Sequence, residues 1–232
     1  PVWPPVGVTD RLLWAIVLVA VVGFAAIAPR SPVTLGLCTV IASAVALVVT
    51  LWPSLATESA ARGAAIGFVI AGALLAGLSA TALDVLTRRT ARWPVAVIIS
   101  GLGLAAGAAL AGSGNMKLGQ LGLGVGVASG AAGILLLRKT NSAALSSPVL
   151  ASLALTDTML VAGHRYGELT LGPMLVLSAS APAGVVASRL LRRWGPGRAG
   201  VAAVIVAGII AAVGVFWAVD LTGAEALDEY PY

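Results

Sequence analysis

Residues 150–168 read LASLALTDTMLVAGHRYGE, an apolar run with one acid, Asp157, near its middle. If the run forms a membrane helix beginning at Pro148, then Asp157 lies about nine residues, or about 14 Å, along it and close to the bilayer midplane. A charge at that depth costs about 3 kcal/mol, so such an acid is by default a hypothesis of function. The stretch therefore predicts a membrane helix with a candidate functional residue at its centre.

The composition of the whole chain agrees with a membrane location. Its 232 residues are 59% hydrophobic and 10% charged, with a mean hydropathy of +1.02, whereas soluble domains carry about 25% charged residues. The single cysteine, Cys38, excludes an internal disulfide and a cysteine-based metal site, and the single histidine, His164, excludes a bis-histidine haem within one chain. We expect no cofactor and no bound metal. The basic residues lie in short links between apolar runs, so we expect a lipid bilayer as partner and no nucleic acid.

The apolar runs predict an all-α, polytopic integral membrane protein, a single domain over residues 1–232 with eight membrane-spanning helices. The predicted helices span residues 12–28, 33–52, 64–83, 94–112, 118–137, 148–163, 169–188 and 200–219. For the first run a cleaved signal peptide is the alternative, because Ala26, Ile27 and Ala28 resemble a small-residue cleavage site.

The distribution of charge predicts the orientation of the bundle. Most basic residues fall in the links after the first, third, fifth and seventh helices, and most acids fall on the other side. The basic residues in these four links are Arg30, Arg88, Arg89, Arg92, Arg138, Lys139, Arg189, Arg192, Arg193 and Arg198. Because positive loops stay cytoplasmic, we expect both termini on the non-cytoplasmic side of a plasma membrane, in particular a bacterial inner membrane.

The fourth and fifth helices share a glycine pattern. GLGLAAGAA at residues 101–109 resembles GVGVASGAA at residues 124–132, and both contain a GxxxG step. Small residues at this spacing let helices approach closely in lipid. Close packing is the simpler interpretation, and a sliding or substrate-lining surface is the functional alternative.

The predicted sixth helix leaves the partner of its acid open. One turn beyond Asp157 stand Leu160 and Val161, so any polar partner must come from another helix or from water. Desolvation favours the neutral form of a carboxylic acid, and a protonatable acid next to water could move protons for a transporter. The alternative is an acid that joins helices through a hydrogen bond to a backbone carbonyl or to one of four serines: Ser43, Ser129, Ser178 or Ser180.

A polar rim is expected at the outer end of the same helix. His164 returns to nearly the same helix face as Asp157, about 10 Å further out. It is followed by Arg165, Tyr166 and Glu168, and the outer end of the fifth helix offers Asn115, Lys117 and Gln120. The functional interpretation is a vestibule that leads protons or an anion toward Asp157. The alternative is an ordinary solvated turn.

The predicted seventh helix contains Pro173 and Pro182, with Ser178 and Ser180 between them. Proline inside a helix frees a carbonyl and bends the helix, and broken helices in transporters expose such groups to substrates. We therefore expect a kink and, as a hypothesis, a broken helix that contributes to a binding site.

Two further patterns are weighed against function. Asp84 and Arg88 are four residues apart, as expected of a structural ion pair on one helix face.

An intramembrane protease would need a serine next to a base. The candidates are Ser129 or Ser79 with His164, but the pattern is weak. Val127 stands where the Gly-x-Ser-Gly pattern of rhomboid-type proteases has glycine. We therefore expect no enzymatic activity.

Together these patterns favour a small secondary transporter or permease-like protein that uses a midplane acid. The alternative is a non-catalytic accessory, scaffold or assembly subunit of a larger membrane complex. In either case other membrane proteins or further copies of the chain are candidate partners.

Overall fold

The computed structural model describes residues 7–25, 31–56, 60–89, 92–137 and 146–228, which are almost entirely helical. These residues form eight α-helices and a short 3₁₀ turn at Arg192–Trp194 between the last two. The helices are α1 (Val8–Ala25), α2 (Pro32–Ala56), α3 (Ala60–Arg89), α4 (Trp93–Gly112), α5 (Met116–Leu137), α6 (Ser146–Tyr166), α7 (Leu171–Leu190) and α8 (Pro196–Asp228).

The all-helical class is confirmed, and each predicted apolar run is a helix in the structure, with different ends. The helices α3 and α8 extend beyond 64–83 and 200–219, because polar and alanine-rich flanks continue a helix where hydropathy has already fallen. At α8 the true start is Pro196, and proline suits the first turn because its missing N–H has no helical partner there. Residues 26–28 of the predicted first helix lie outside the described part, as do Arg30, Glu58, Arg138 and Lys139 of the predicted links.

Six helices are long and apolar enough to cross a membrane: α2, α3, α4, α5, α7 and α8. Over the residues described, α1 and α6 do not meet the same test. For α6 the reason is visible in its sequence, since it includes Asp157, His164 and Arg165 among its 21 residues.

The polar helix α6 lies at the centre of the bundle. It contacts α1, α2, α3, α4, α5 and α7, and all of its residues from Thr156 to Gly163 are buried. A helix that other helices surround does not have to dissolve in lipid, so it tolerates polar side chains that its neighbours would not. This position makes α6 the element on which the candidate site depends.

Five neighbours of α6 belong to antiparallel helix pairs: α2 with α3, α4 with α5, and α7 with α8. Each pair contains a close backbone contact at glycine. A Cβ atom placed on Gly103 of α4 would lie 2.7 Å from the Cα atom of Gly126 in α5, and one on Gly184 of α7 would lie 2.6 Å from the carbonyl oxygen of Ala203 in α8. In addition, Ser100 Oγ donates a 2.9 Å hydrogen bond to the Gly126 carbonyl. The glycine pattern of α4 and α5 therefore serves close helix packing.

The two ends of the bundle differ in the turns that they contain. One end, called the Lys117 end, contains the α4–α5 turn and the α6–α7 turn. The opposite end, called the Arg189 end, contains the end of α7 and the start of α8. Glycines with positive φ lie at both ends, Gly114 at 84° and Gly195 at 100°. Other residues rarely adopt these angles, so the two turns depend on glycine.

Candidate functional site

The centre of the candidate site is the carboxyl group of Asp157, at the contact between α6 and α7. The residue is 6% exposed, and Ser178 Oγ donates a hydrogen bond of 3.3 Å to its Oδ1. Of the four serines weighed as partners from the sequence, the structure brings Ser178 to the acid. A bond of 3.3 Å between oxygen atoms is long, because O–H···O bonds are usually 2.5–3.0 Å.

A second polar group lies on the same turn of α7. Pro182 is inside the helix and has no N–H, so the carbonyl of Ser178, four residues earlier, lacks its helical donor. Pro173 lies in the first turn of α7, where proline is tolerated, and the helix is continuous from Leu171 to Leu190. Thus α7 has an interrupted hydrogen-bond ladder at Pro182, and the residue whose hydroxyl reaches the acid, Ser178, is also the one whose carbonyl lacks its helical donor.

The other serines make different contacts. Ser129 Oγ lies 2.5 Å from Ser152 Oγ and donates to the Val125 carbonyl. Ser180 Oγ donates to the Leu177 carbonyl of its own helix at 2.8 Å.

Two more buried hydroxyls, Ser43 Oγ and Thr156 Oγ1, have no hydrogen-bond partner among the described residues. By contrast, Thr158 donates to the Ala154 carbonyl one turn back at 2.6 Å. The two threonines that flank Asp157 therefore differ in whether their hydroxyl group is satisfied.

The histidine of the expected rim has a structural contact. His164 Nδ1 donates to the Leu169 carbonyl at 2.9 Å, and its ring meets that of Phe68 edge-on at 5.3 Å between centroids. Tyr166 donates from its hydroxyl to the Thr50 carbonyl of α2 at 3.3 Å. These contacts hold the end of α6 to α2, α3 and the start of α7.

The remaining rim residues form a separate polar pocket at the Lys117 end. It is a cavity of about 560 Å³ between the α4–α5 and α6–α7 turns, and its polar side chains are Ser113, Asn115, Lys117, Tyr166 and Glu168. Neither His164 nor Arg165 lines it. The structure thus divides the rim expected from the sequence into a half-buried end of α6 and an open pocket.

Two of the rim residues are placed differently from expectation. The Nε atom of Arg165 is buried without a hydrogen-bond partner among the described residues. Gln120 does not join the polar pocket; it lines a groove between α1 and α5 instead, because it lies about one helical turn further from the α4–α5 turn than Lys117 does.

The polar pocket does not reach Asp157 in this conformation. Leu160 and Val161, the residues one turn beyond the acid, are 0% and 4% exposed and belong to the hydrophobic core of this half of the bundle. The geometry therefore shows an enclosed acid below a closed apolar layer.

A lateral groove is a feature that the sequence did not indicate. It has a volume of about 410 Å³, opens between Ile16 of α1 and Leu121 of α5, and contains the Ser129–Ser152 pair. The groove exists because α1 and α5 lie apart from each other on the same side of α6. No local sequence pattern predicts this separation.

The catalytic pair considered from the sequence is not assembled in the structure. Ser129 bonds Ser152 in the groove, while His164 bonds Leu169 at the end of α6. The two side chains are held by different neighbours.

No protein-family model, no curated protein and no solved structure matches this chain. The fold and the site define its class by themselves. It is an all-helical, multi-pass membrane protein whose central helix contains a buried acid.

Proposed function

We propose that the protein is a small secondary transporter or permease-like protein in which Asp157 takes up and releases a proton or a cation. One observation supports this most: an under-bonded acid on the most enclosed helix of the bundle, beside the helix turn whose carbonyl Pro182 frees. The proposal assigns no enzymatic step and no cofactor to the chain.

The energetic balance at Asp157 argues against a purely structural role. A carboxylate offers about four acceptor positions, and its hydrogen bond to Ser178 is long. Side-chain hydrogen bonds between membrane helices contribute about 0.6 kcal/mol on average and about 1.7 kcal/mol at most. An acid at the centre of a membrane helix costs about 2.5–3.5 kcal/mol. Since the bond does not offset the cost, a functional requirement accounts better for the acid.

Asp157 lies at a helix contact that could open and close during transport. Of its six neighbours, α7 makes the least extensive backbone contact with α6, and Asp157 and Ser178 meet across that contact. A small shift of α7 at Pro182 would expose the acid while the larger contacts of α6 stay in place. In this proposal the structure corresponds to the occluded state of an alternating-access cycle.

The proposal includes an orientation in a plasma membrane, such as a bacterial inner membrane. The Arg189 end, with Arg192 and Arg193 nearby, would face the cytoplasm, and both termini would face outward. In a cysteine-free background, Lys117→Cys should react with an impermeant maleimide in intact cells, whereas Arg192→Cys should react only after permeabilisation. The reverse labelling pattern would contradict the orientation.

Transport is tested in proteoliposomes that contain a pH-sensitive dye. Gradients of Na⁺, K⁺ and small organic cations are applied in turn, and proton movement is followed. We expect at least one gradient to drive proton movement with the wild type, none with Asp157→Asn, and a partial response with Asp157→Glu. The control is Ser188→Ala, which removes a buried hydroxyl that bonds only to its own helix. An Asn variant as active as the wild type would refute the proposal.

A second candidate function is an accessory or scaffold subunit of a larger membrane complex. The groove between α1 and α5 favours it, because a helix of another membrane protein or of a second copy could lie there and cover the serine pair. Purification in a mild detergent tests this. A stable stoichiometric partner or a defined oligomer supports the scaffold role, and a monodisperse single chain contradicts it.

A further inference from the structure

A cavity of about 240 Å³ lies at the Arg189 end, where α3, α7 and α8 meet. Its lining has a charged mouth and a mostly apolar wall. The mouth contains Arg189 and Arg192, and the wall contains Val85, Leu86, Val185 and Ala199 with one hydroxyl, that of Ser188.

The two arginines at the mouth have free hydrogen-bonding capacity. Both are exposed, and neither has an ion-pair partner among the described residues. Each guanidinium presents five N–H donors in a planar fork that fits a phosphate group. Two such groups at the mouth of one cavity favour a ligand with a phosphate anion.

The start of α8 adds to the positive potential. The helix begins at Pro196, which itself lines the cavity, so the positive end of the helix dipole lies at the mouth. The turn before it is fixed by Gly195 with φ of 100°. The start of α8 and the two guanidinium groups thus both contribute positive potential at the mouth of this cavity.

The residues around the mouth are of types that are common at the level of lipid headgroups. Trp194 is 53% exposed, and the guanidinium of Arg193 lies 5.9 Å from the centre of its ring. Tryptophan and arginine at the end of a membrane helix are typical of the interface between lipid and water. Leu190, next to Arg189, is also largely exposed and offers an apolar surface below this level.

We infer that this cavity binds an anionic phospholipid, with the phosphate between Arg189 and Arg192 and the first part of an acyl chain against Val185 and Ala199. A basic pocket between membrane helices is a known arrangement for acidic headgroups. The apolar wall favours a lipid over a free phosphate ion, because an ion alone would leave that wall uncovered. The inference does not depend on the transport proposal.

Native mass spectrometry of the delipidated protein in detergent tests it. Phosphatidylglycerol and phosphatidylcholine are titrated separately, and binding of the first lipid is measured. We expect the wild type to bind phosphatidylglycerol at least about tenfold more tightly, because phosphatidylcholine carries the same phosphate together with a choline cation that the two arginines repel. The double variant Arg189→Gln/Arg192→Gln should lose that preference.

The matched control is Arg193→Gln/Arg198→Gln, which removes the same charge from the same end but outside the cavity lining. It should keep most of the preference for phosphatidylglycerol. Equal losses in the two double variants would show that surface charge alone attracts the lipid and would overturn the inference. Inorganic phosphate at millimolar concentration should not displace the lipid, and full displacement would also overturn it.

Discussion

Replacing Asp157 by leucine should make the bundle more stable and inactive at the same time. The substitution removes the carboxyl group from the centre of α6 and breaks the long hydrogen bond from Ser178. Removing the acid recovers the cost of its burial, about 2.5–3.5 kcal/mol, and the lost bond subtracts about 0.6 kcal/mol. Some strain from the larger side chain reduces the gain further, so we expect a net stabilisation of about 1–2 kcal/mol.

The measurement is the free energy of unfolding in mixed micelles or bicelles, from a denaturing-detergent titration. The matched variant Ser178→Ala tests the bond separately and should lower the stability by about 0.6 kcal/mol. The same proteins are then reconstituted, and proton movement should be absent with Asp157→Leu. This combination of greater stability with lost activity is the expected signature of a functional residue.

The reasoning is refuted if Asp157→Leu destabilises the protein by about 3 kcal/mol or more. That result would mean that the acid belongs to a bonded network that holds α6 against its neighbours. A double-mutant cycle with Ser178→Ala would then show a coupling well above about 1.7 kcal/mol, the largest value expected for one interhelical bond.

Three further predictions concern packing and hydrogen bonding. Gly126→Ala should destabilise the bundle by about 1–3 kcal/mol, because its new Cβ atom would lie 2.5 Å from the backbone nitrogen of Leu104 in α4. Gly124→Ala, whose new Cβ atom would have nothing within 4 Å, should be neutral or better, and equal effects of the two substitutions in unfolding titrations would contradict the packing. Thr156→Val should raise the free energy of unfolding by about 1 kcal/mol, because the hydroxyl that it removes has no hydrogen-bond partner among the described residues. Thr158→Val should not, because its hydroxyl bonds the Ala154 carbonyl, and a larger gain at Thr158 than at Thr156 would contradict these contacts. Arg88→Gln should cost no more than about 0.5 kcal/mol in the same assay, although it removes a 2.7 Å ion pair, because the arginine is 45% exposed.

The sequence predicted local features well where a single helix decides them. The ion pair between Asp84 and Arg88 follows from their spacing on one helix, and the structure shows it at 2.7 Å. The close packing of α4 on α5 likewise follows from glycines at helical spacing. Both features depend on residues that are near one another in sequence or on a pattern that repeats along one helix.

The contacts of the candidate site could not be read in the same way. Asp157 needed a partner from another helix, and four serines were equally suitable until the fold placed Ser178 across from it. The rim was expected as one cluster, yet Gln120 lines the groove by α1 while Lys117 lines the polar pocket. These outcomes depend on how helices rotate against one another, which hydropathy does not report.

The chain by itself determined that it is an all-helical membrane protein with an acid inside one apolar run, because backbone groups in lipid must bond within their own helix. It also determined the number of helices and the approximate place of each in the chain, although most helix ends differ from those predicted. Only the tertiary structure decided that this run is the central helix, enclosed by six others. It alone showed that the acid faces Ser178 at the turn freed by Pro182, because the neighbours of a helix are set by side-chain packing over the whole bundle. The apolar run around Asp157 is therefore the central helix of the bundle, and its acid lies at the contact with α7, the least extensive backbone contact that α6 makes with its six neighbours.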